Sequence, residues 1–343
     1  MIVLGIETTC DETSVSIVEK KKDDEFGKIV SEQTLSQIIK HKKFGGVVPE
    51  LASREHSKNI DYLVKKTIKN SKIEIATVDA FAASTGPGLL GALLVGTNYS
   101  KALAIASKKP FVSVNHLQAH VLVSRMNKKI NFPFLCLLVS GGHSQIILAQ
   151  DSKKFKVIGE SLDDAVGEVF DKTSKALGLE YPGGPVIEKL AKKKKDKYNF
   201  NLPRPLLKNK TFNLSFSGLK TAVRRIIDTK LNTNQQQDLA FQFQEVITIC
   251  LLEKVKLALR VLKKKENIND FVLSGGVASN IYIREKFKQL CKDEKVEFSV
   301  PKANLCVDNA TMIAWAGIEM LIKGEKGSKI NLSPKPRWRI DKL

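Results

Sequence analysis

Paired cysteines are missing from this chain. Its five cysteines, Cys10, Cys136, Cys250, Cys291 and Cys306, are odd in number, widely scattered, and never at Cys-x-x-Cys spacing. A disulfide-stapled domain, a four-thiolate zinc site and a dithiol redox couple therefore have no support, and reduced, mostly buried thiols are expected. Apolar runs of membrane-spanning length are missing too. The first residues, Met1-Ile2-Val3-Leu4-Gly5-Ile6-Glu7, carry no basic leader and soon meet an acid, which predicts a cytoplasmic protein with no membrane partner. Acidic residues are scarce as well: 36 Asp and Glu stand against 56 Lys and Arg, for a formal net charge of +20. Such a balance draws in polyanions with a steep salt dependence, so nucleic acid is the favoured partner class. A lysine-rich proteome would leave the same excess.

What is present reads as globular. With 343 residues, 43% hydrophobic and 27% charged, the chain is long enough for two domains, each with its own core. Two patterns occur twice. An apolar run, polar turn and second apolar run fill Ile2 to Val18, and the same order fills Phe134 to Ala149 around Ser140-Gly141-Gly142-His143-Ser144. A strand, Gly-rich turn and helix then follow at Asp79 to Ala106, through Thr85-Gly86-Pro87-Gly88, and again at Asp270 to Leu290, through Ser274-Gly275-Gly276. An internal duplication of an α/β half explains both. Helical spacing marks Pro49 to Lys69 and a long segment from Asp238 to Lys263. The lysine-rich stretch Lys192 to Lys210, broken by Pro203 and Pro205, reads as a surface excursion. The tail around Ser333-Pro334-Lys335-Pro336-Arg337-Trp338-Arg339 is too proline-rich for a helix.

Three features carry chemistry. In Asn115-His116-Leu117-Gln118-Ala119-His120 a helix would set His116 and His120 on one face, a metal-ligand spacing that buried, hydrogen-bonded histidines also produce. The zinc-protease signature is absent, because position 117 is Leu where a glutamate would act as general base. Asp308 stands before an apolar helix from Thr311 to Ile322. It is either an N-cap or the third member of a two-histidine, one-carboxylate ligand set that suits Fe(II) or Zn(II). The turns Ser140-Gly141-Gly142 and Ser274-Gly275-Gly276, the latter with Asn280, either grip an anion through backbone N–H groups or are ordinary glycine turns.

Taken together and in order, several stretches resemble one family. They are Gly5-Ile6-Glu7-Thr8-Thr9-Cys10-Asp11-Glu12-Thr13, Gly45-Gly46-Val47-Val48-Pro49-Glu50-Leu51-Ala52-Ser53-Arg54, Thr85-Gly86-Pro87-Gly88-Leu89, His116 with His120, Leu138-Val139-Ser140-Gly141-Gly142-His143 and Ser274-Gly275-Gly276-Val277. The chain is similar, end to end, to the tRNA N6-adenosine threonylcarbamoyltransferases, the TsaD family, once called O-sialoglycoprotein endopeptidases. Asp163 to Lys172 resembles the bacterial branch.

The resemblance implies a duplicated two-domain α/β fold of the actin, Hsp70 and sugar kinase type, with a nucleotide cleft between the halves. One domain would span 1–130, completed by about 305–343; the other would span 131–304, with a helical, basic insertion around 160–245. It implies transfer of threonylcarbamoyl from threonylcarbamoyl-AMP to N6 of adenosine 37 in the anticodon loop of tRNAs reading ANN codons. His116, His120 and Asp308 would bind Fe2+, with Zn2+ as the alternative. Leu138, Val139, Ser140, Gly141, Gly142, Asp171, Gly184, Glu188 and Asn280 would hold the adenylate. Asp11 and Glu12, in the first turn, are either the groups that manage the proton or plain turn and cap residues. A TsaB-like paralogous subunit and a TsaE-like ATPase are the implied protein partners. Lys192 to Lys195, Lys208 with Lys210, Arg224 with Arg225, and Lys335, Arg337 and Arg339 are candidates for the tRNA backbone. One departure stands out: the family's usual Glu-Gly between the histidines is Gln118-Ala119 here. Rival readings are a glycoprotease-type metalloprotease, a carbohydrate or acetate kinase, and a non-catalytic nucleotide-binding scaffold.

Overall fold

A computed structural model describes residues 1–207 and 209–343, so the candidate contact Lys208 lies outside the described residues. The chain divides into two compact units. The first comprises residues 1–130, 150–155 and 307–343, and the second 131–149 and 156–306.

The first unit opens with a hairpin, β1 (Ile2–Glu7) and β2 (Glu12–Glu19), in register from Ile2 opposite Glu19 to Glu7 opposite Ser14. The sheet gains β3 (Lys28–Ser36) on the outer side of β2. Next come α1 (Ile38–Lys42) and α2 (Pro49–Ser71). The proline sits at the first helical position, where its missing N–H costs nothing. Then follow β4 (Ala80–Gly86), α3 (Leu90–Ser107), β5 (Phe111–Asn115) and α4 (His116–Leu122). Both β4 and β5 run parallel to β1, giving the order β3-β2-β1-β4-β5. Every residue of β4 and β5 is buried, as parallel strands covered on both faces must be.

The second unit repeats this plan. Its strands β6 (Phe134–Val139), β7 (Ser144–Asp151) and β8 (Lys154–Glu160) lead into α5 (Val166–Ala176), α6 (Gly183–Ala191), α7 (Ser217–Ile227) and α8 (Thr233–Leu262). After them come β9 (Asp270–Ser274), α9 (Ile281–Asp293), β10 (Glu297–Ser299) and α10 (Ala303–Cys306). The order β8-β7-β6-β9-β10, with β6 antiparallel to β7 and parallel to β9, is that of the first sheet. Phe170, Phe216, Phe243, Phe271 and Phe287 centre its core. Burying such a ring stabilises by about 1.5–3 kcal/mol.

The chain then returns to the first unit with α11 (Ala310–Ile322), which lies on β1 and β2. Contact is closest at Gly5, where a Cβ would stand 2.5 Å from the Ala310 carbonyl. Two hydroxyls fix the start of this helix: Ser14 Oγ accepts from Ala310 N at 3.0 Å, and Ser16 Oγ lies 2.7 Å from Thr311 Oγ1.

Two local expectations change. The N-cap of α11 is Asn309, whose side chain accepts from Met312 N at 2.9 Å, so Asp308 does not cap that helix. After Ser274-Gly275-Gly276 a 3-10 turn, Gly276–Ser279, precedes α9, and Asn280 is the cap. The glycine turn is therefore not itself the helix N-terminus. Among the described residues no disulfide forms, four of the cysteines are buried, and no helix is long and apolar enough to cross a membrane.

Candidate functional site

The strand β5 ends directly in α4, and Asn115 makes the junction. Its side chain accepts from Leu117 N at 2.9 Å and Gln118 N at 3.2 Å, while Gln118 Oε1 accepts from Asn115 N at 3.4 Å, a reciprocal capping box. The cap fixes where the helix begins, and so the face on which His116 and His120 sit one turn apart. Gln118, where the family usually carries Glu, is buried and spans from this cap to the Ser152 carbonyl, to which its amide donates at 2.7 Å. Its position is structural, not that of a ligand.

Asp308 arrives from the far end of the chain, held by the docking of α11. Its Oδ1 lies 3.1 Å from His120 Nε2 and 3.5 Å from His116 Nε2, and one ligand atom from each of the three lies within 4.8 Å of the others. The other nitrogen of His116 is accounted for. Nδ1 donates to Glu7 Oε2 at 3.0 Å, with Thr9 Oγ1 at 3.3 Å, so Nε2 is the nitrogen that faces Asp308. Two imidazole nitrogens and a carboxylate, with an outer carboxylate fixing one ring, fit a divalent transition metal by the chemistry of the donor set.

Charge is concentrated here. Burial pushes the His116 imidazole down, but the Asp308 and Glu7 carboxylates overcome it and hold it well above its ordinary range. For Asp308, burial favours the neutral acid, yet His116 and His120 hold it far below the carboxylate range. His120 is lowered, chiefly by burial. Glu12 is pushed well up by burial and then by Asp308 and Asp11. A site where carboxylates crowd two histidines and raise a neighbouring acid is one that a cation would relieve. Glu12 thus lies in the electrostatic reach of Asp308, with Asp11 beside it. Glu7 was not singled out in the sequence, although it is a carboxylate ending an otherwise apolar strand at full burial.

The residues expected to hold an adenylate lie in the second unit and form a contact ring. Leu138 and Val139 are fully buried in β6. The Ser140 carbonyl accepts from Gly167 N at 3.2 Å, at the start of α5. Asp171 Oδ1 accepts from Gly183 N at 2.6 Å, at the start of α6, and Glu188 Oε1 accepts from Ile281 N at 3.1 Å, at the start of α9. Asn280 caps Ile283 N at 3.0 Å and donates to Gln244 at 2.7 Å, and Gly275, at φ +89°, packs against the Val139 carbonyl.

The glycines of this ring divide in two. At Gly167, Gly183 and Gly275 a Cβ would come within 2.4 to 2.6 Å of backbone, whereas at Gly141, Gly142, Gly184 and Gly276 it would meet nothing within 4 Å. The first group closes the ring; of its members the sequence singles out Gly275, in a candidate anion-gripping turn, but not Gly167 or Gly183. The second leaves bare backbone beside open space, a cradle that side chains would fill.

Of the basic candidates, Lys192 pairs with Glu188 and Lys194 with Asp196, and Arg224 and Arg225 end α7. These and Lys210 belong to the second unit, while Lys335, Arg337 and Arg339 belong to the first.

A repeated five-stranded sheet, a buried two-histidine, one-carboxylate cluster and a glycine cradle define an actin-like, duplicated α/β protein. Solved structures agree on that fold. HypF from T. kodakarensis superposes with a TM-score of 0.61 at 12% identity over 94% of this chain and 48% of its own. The 2-hydroxyisocaproyl-CoA dehydratase activator from Clostridium difficile, solved with bound ADPNP, does so with 0.50 at 12% identity over 96% and 100%. The chain spans about half the length of the HypF chains on which it superposes. The TsaD family profile, tRNA N6-adenosine threonylcarbamoyltransferase, matches residues 28–315, and the chain belongs to that family. Enzymes of that name from the Wolbachia of Brugia malayi and from Pelagibacter ubique are each 46% identical, over 98% of both chains in the first case, and over 99% of this chain and 95% of the relative in the second.

Proposed function

We propose that this protein transfers the threonylcarbamoyl group of threonylcarbamoyl-AMP to N6 of adenosine 37 in tRNAs that read ANN codons. The observation that carries the reading is the convergence of His116, His120 and Asp308 in a chain of this family. The donor is a mixed anhydride, so AMP leaves readily. Adenine N6 is a poor nucleophile because its lone pair is delocalised. Rate must come from placing N6 against the carbamoyl carbon and stabilising charge on the carbamoyl oxygen and the departing phosphate.

In the transfer the N6–carbon bond forms, the carbon–oxygen bond to the phosphate breaks, and N6 gives up a proton. Asp11 and Glu12 are assigned to receive it. The open glycines Gly141, Gly142, Gly184 and Gly276 present backbone N–H groups to the adenylate, and Asp171, Glu188 and Asn280 keep the helix starts around it in place. His116, His120 and Asp308 would hold the metal, assigned as Fe2+, which supplies Lewis-acid polarisation when bound. Adenosine 37 lies in a loop, so presenting its base needs no duplex opening. The reading places the protein in the cytoplasm, beside a TsaB-like subunit and a TsaE-like ATPase. A metalloprotease gains nothing from the geometry, since Leu117, at the general-base position, is 2% exposed and apolar.

The test is mass spectrometry of nucleosides from an ANN-decoding tRNA transcript incubated with the protein, its partners, threonylcarbamoyl-AMP and iron, beside a His116→Ala control. Threonylcarbamoyladenosine from wild type and little from the variant supports the reading. No product with competent partners sinks the transferase, and equal product from both proteins sinks the metal assignment.

A further inference from the structure

Between residues 333 and 343 the chain carries four cations, Lys335, Arg337, Arg339 and Lys342, against one carboxylate side chain, Asp341. Arg339 and Asp341 pair at 3.0 Å, and Arg337 has no carboxylate partner among the described residues. Lys335, Pro336, Arg337, Trp338, Arg339 and Lys342 line an open hollow of about 510 Å³. Its scaffold is Trp338, whose indole N–H donates to the Lys342 carbonyl at 3.0 Å and whose ring carries Lys335 Nζ at 4.8 Å.

This segment is built onto the metal helix. Lys335 N donates to the Thr85 carbonyl at 2.7 Å and Gly88 N to the Pro336 carbonyl at 3.1 Å, so the Thr85-Gly86-Pro87-Gly88 turn is one wall of its seat. At Gly86 a Cβ would lie 2.0 Å from the Lys335 carbonyl, so only glycine permits the approach. The Asn115 amide donates to the Trp338 carbonyl at 3.1 Å, and Asn115 is the cap that immediately precedes His116.

We infer that residues 335–342 are a phosphate-gripping element that holds the RNA strand flanking the acceptor adenosine. The inference rests on the transferase reading for its substrate. Planar guanidinium and ammonium groups over an apolar ring, with little acid to neutralise them, suit phosphodiesters and the sugars between them. Anchoring to the Asn115 cap gives the grip a purpose. A strand held here is held in register with the helix that carries His116 and His120, which a basic cluster elsewhere on the chain would not ensure.

The test is fluorescence anisotropy of a labelled anticodon stem-loop RNA, titrated with the protein and its partners over a range of KCl, for wild type, Arg337→Ala, Arg337→Lys and Lys342→Ala. Each Ala variant should bind about 3- to 10-fold more weakly at low salt and lower the slope of log K against log salt by about one, while Arg337→Lys restores the slope. In transfer assays KM for tRNA should rise while kcat stays within about two-fold. Unchanged affinity and slope in both Ala variants overturn the inference. So does loss of partner association with the RNA slope intact, which would make the segment a protein contact. A wild type that makes no product removes the transferase reading, yet the anisotropy titration still decides the grip.

Discussion

The two units share one strand order and use their acidic side chains in opposite ways. In the first, Glu7 and Asp308 gather around His116 and His120 and hold His116 up against its burial, while burial and then the Asp308 and Asp11 charges lift Glu12. In the second, carboxylates turn onto backbone N–H groups. Asp163 accepts from Phe216 N at 2.7 Å and from the Ser215 and Ser217 hydroxyls at 2.6 Å, and Asp238 takes the four amides of residues 195–198 at 2.6 to 3.1 Å. Duplication thus supplied one scaffold for two kinds of site. One gathers carboxylates around two histidines; the other turns its acids onto backbone amides and leaves bare glycine backbone beside open space.

The contrast breaks most sharply at Asp308. Asp308→Ala removes the only carboxylate in the three-ligand set, and transfer should fall about 1000-fold, the several kcal/mol a Lewis acid contributes. Elemental analysis should show the bound metal lost with it, and retained metal at full occupancy would refute the ligand role. Glu7→Gln is milder, because it loosens the His116 ring without deleting a ligand. Metal affinity should drop about 10- to 100-fold in competition with a chelator, with little change in melting temperature.

In the second unit the glycines should separate stability from binding. Gly275→Ala forces a Cβ to 2.4 Å from the Val139 carbonyl at a left-handed φ, and should destabilise by about 2 kcal/mol or more in urea unfolding. Gly142→Ala meets open space and should change stability by less than about 0.5 kcal/mol while weakening binding of a non-hydrolysable adenylate analogue. Equal loss of stability in both would erase the division between tight and open glycines.

The smallest effect is on acid stability. Burial raises the Asp163 carboxyl, but the Ser215 and Ser217 hydroxyls and the Phe216 and Asp164 amides bring it down to about 2. Because the folded value is depressed, its contribution is fully present above the ordinary range near pH 4 and fades as pH falls through about 2. The urea midpoint of wild type should therefore fall more steeply between pH 5 and 2 than that of Asp163→Asn, and parallel curves would show that the carboxylate contributes nothing.

Much of this was legible in the residues. Hairpins and helices followed from apolar spacing, and the repeated strand, turn and helix exposed the duplication. His116 and His120 were visible because their spacing is local. Asp308 was ambiguous, since cap and ligand look alike in sequence, and only the position of Asn309 shows that Asp308 is not the cap. Glu7 was hidden because a buried carboxylate at a strand end looks like the first residue of a turn. The tight glycines Gly167 and Gly183 were invisible for a plainer reason: each is needed by a backbone in another element, such as Ser140 for Gly167.

The late arrival of Asp308, just ahead of α11, also sets a schedule. His120 and Asp308 are 188 residues apart, and the helix that seats Asp308 packs on the first hairpin. A ribosome that has released only the first unit's opening stretch has exposed two histidines and no third ligand. The centre can close only when almost the whole chain has emerged and its late helix has found the earliest strands, a long-range and therefore slow contact. A chain truncated before residue 307 would carry the open glycines but never the assembled cluster of His116, His120 and Asp308.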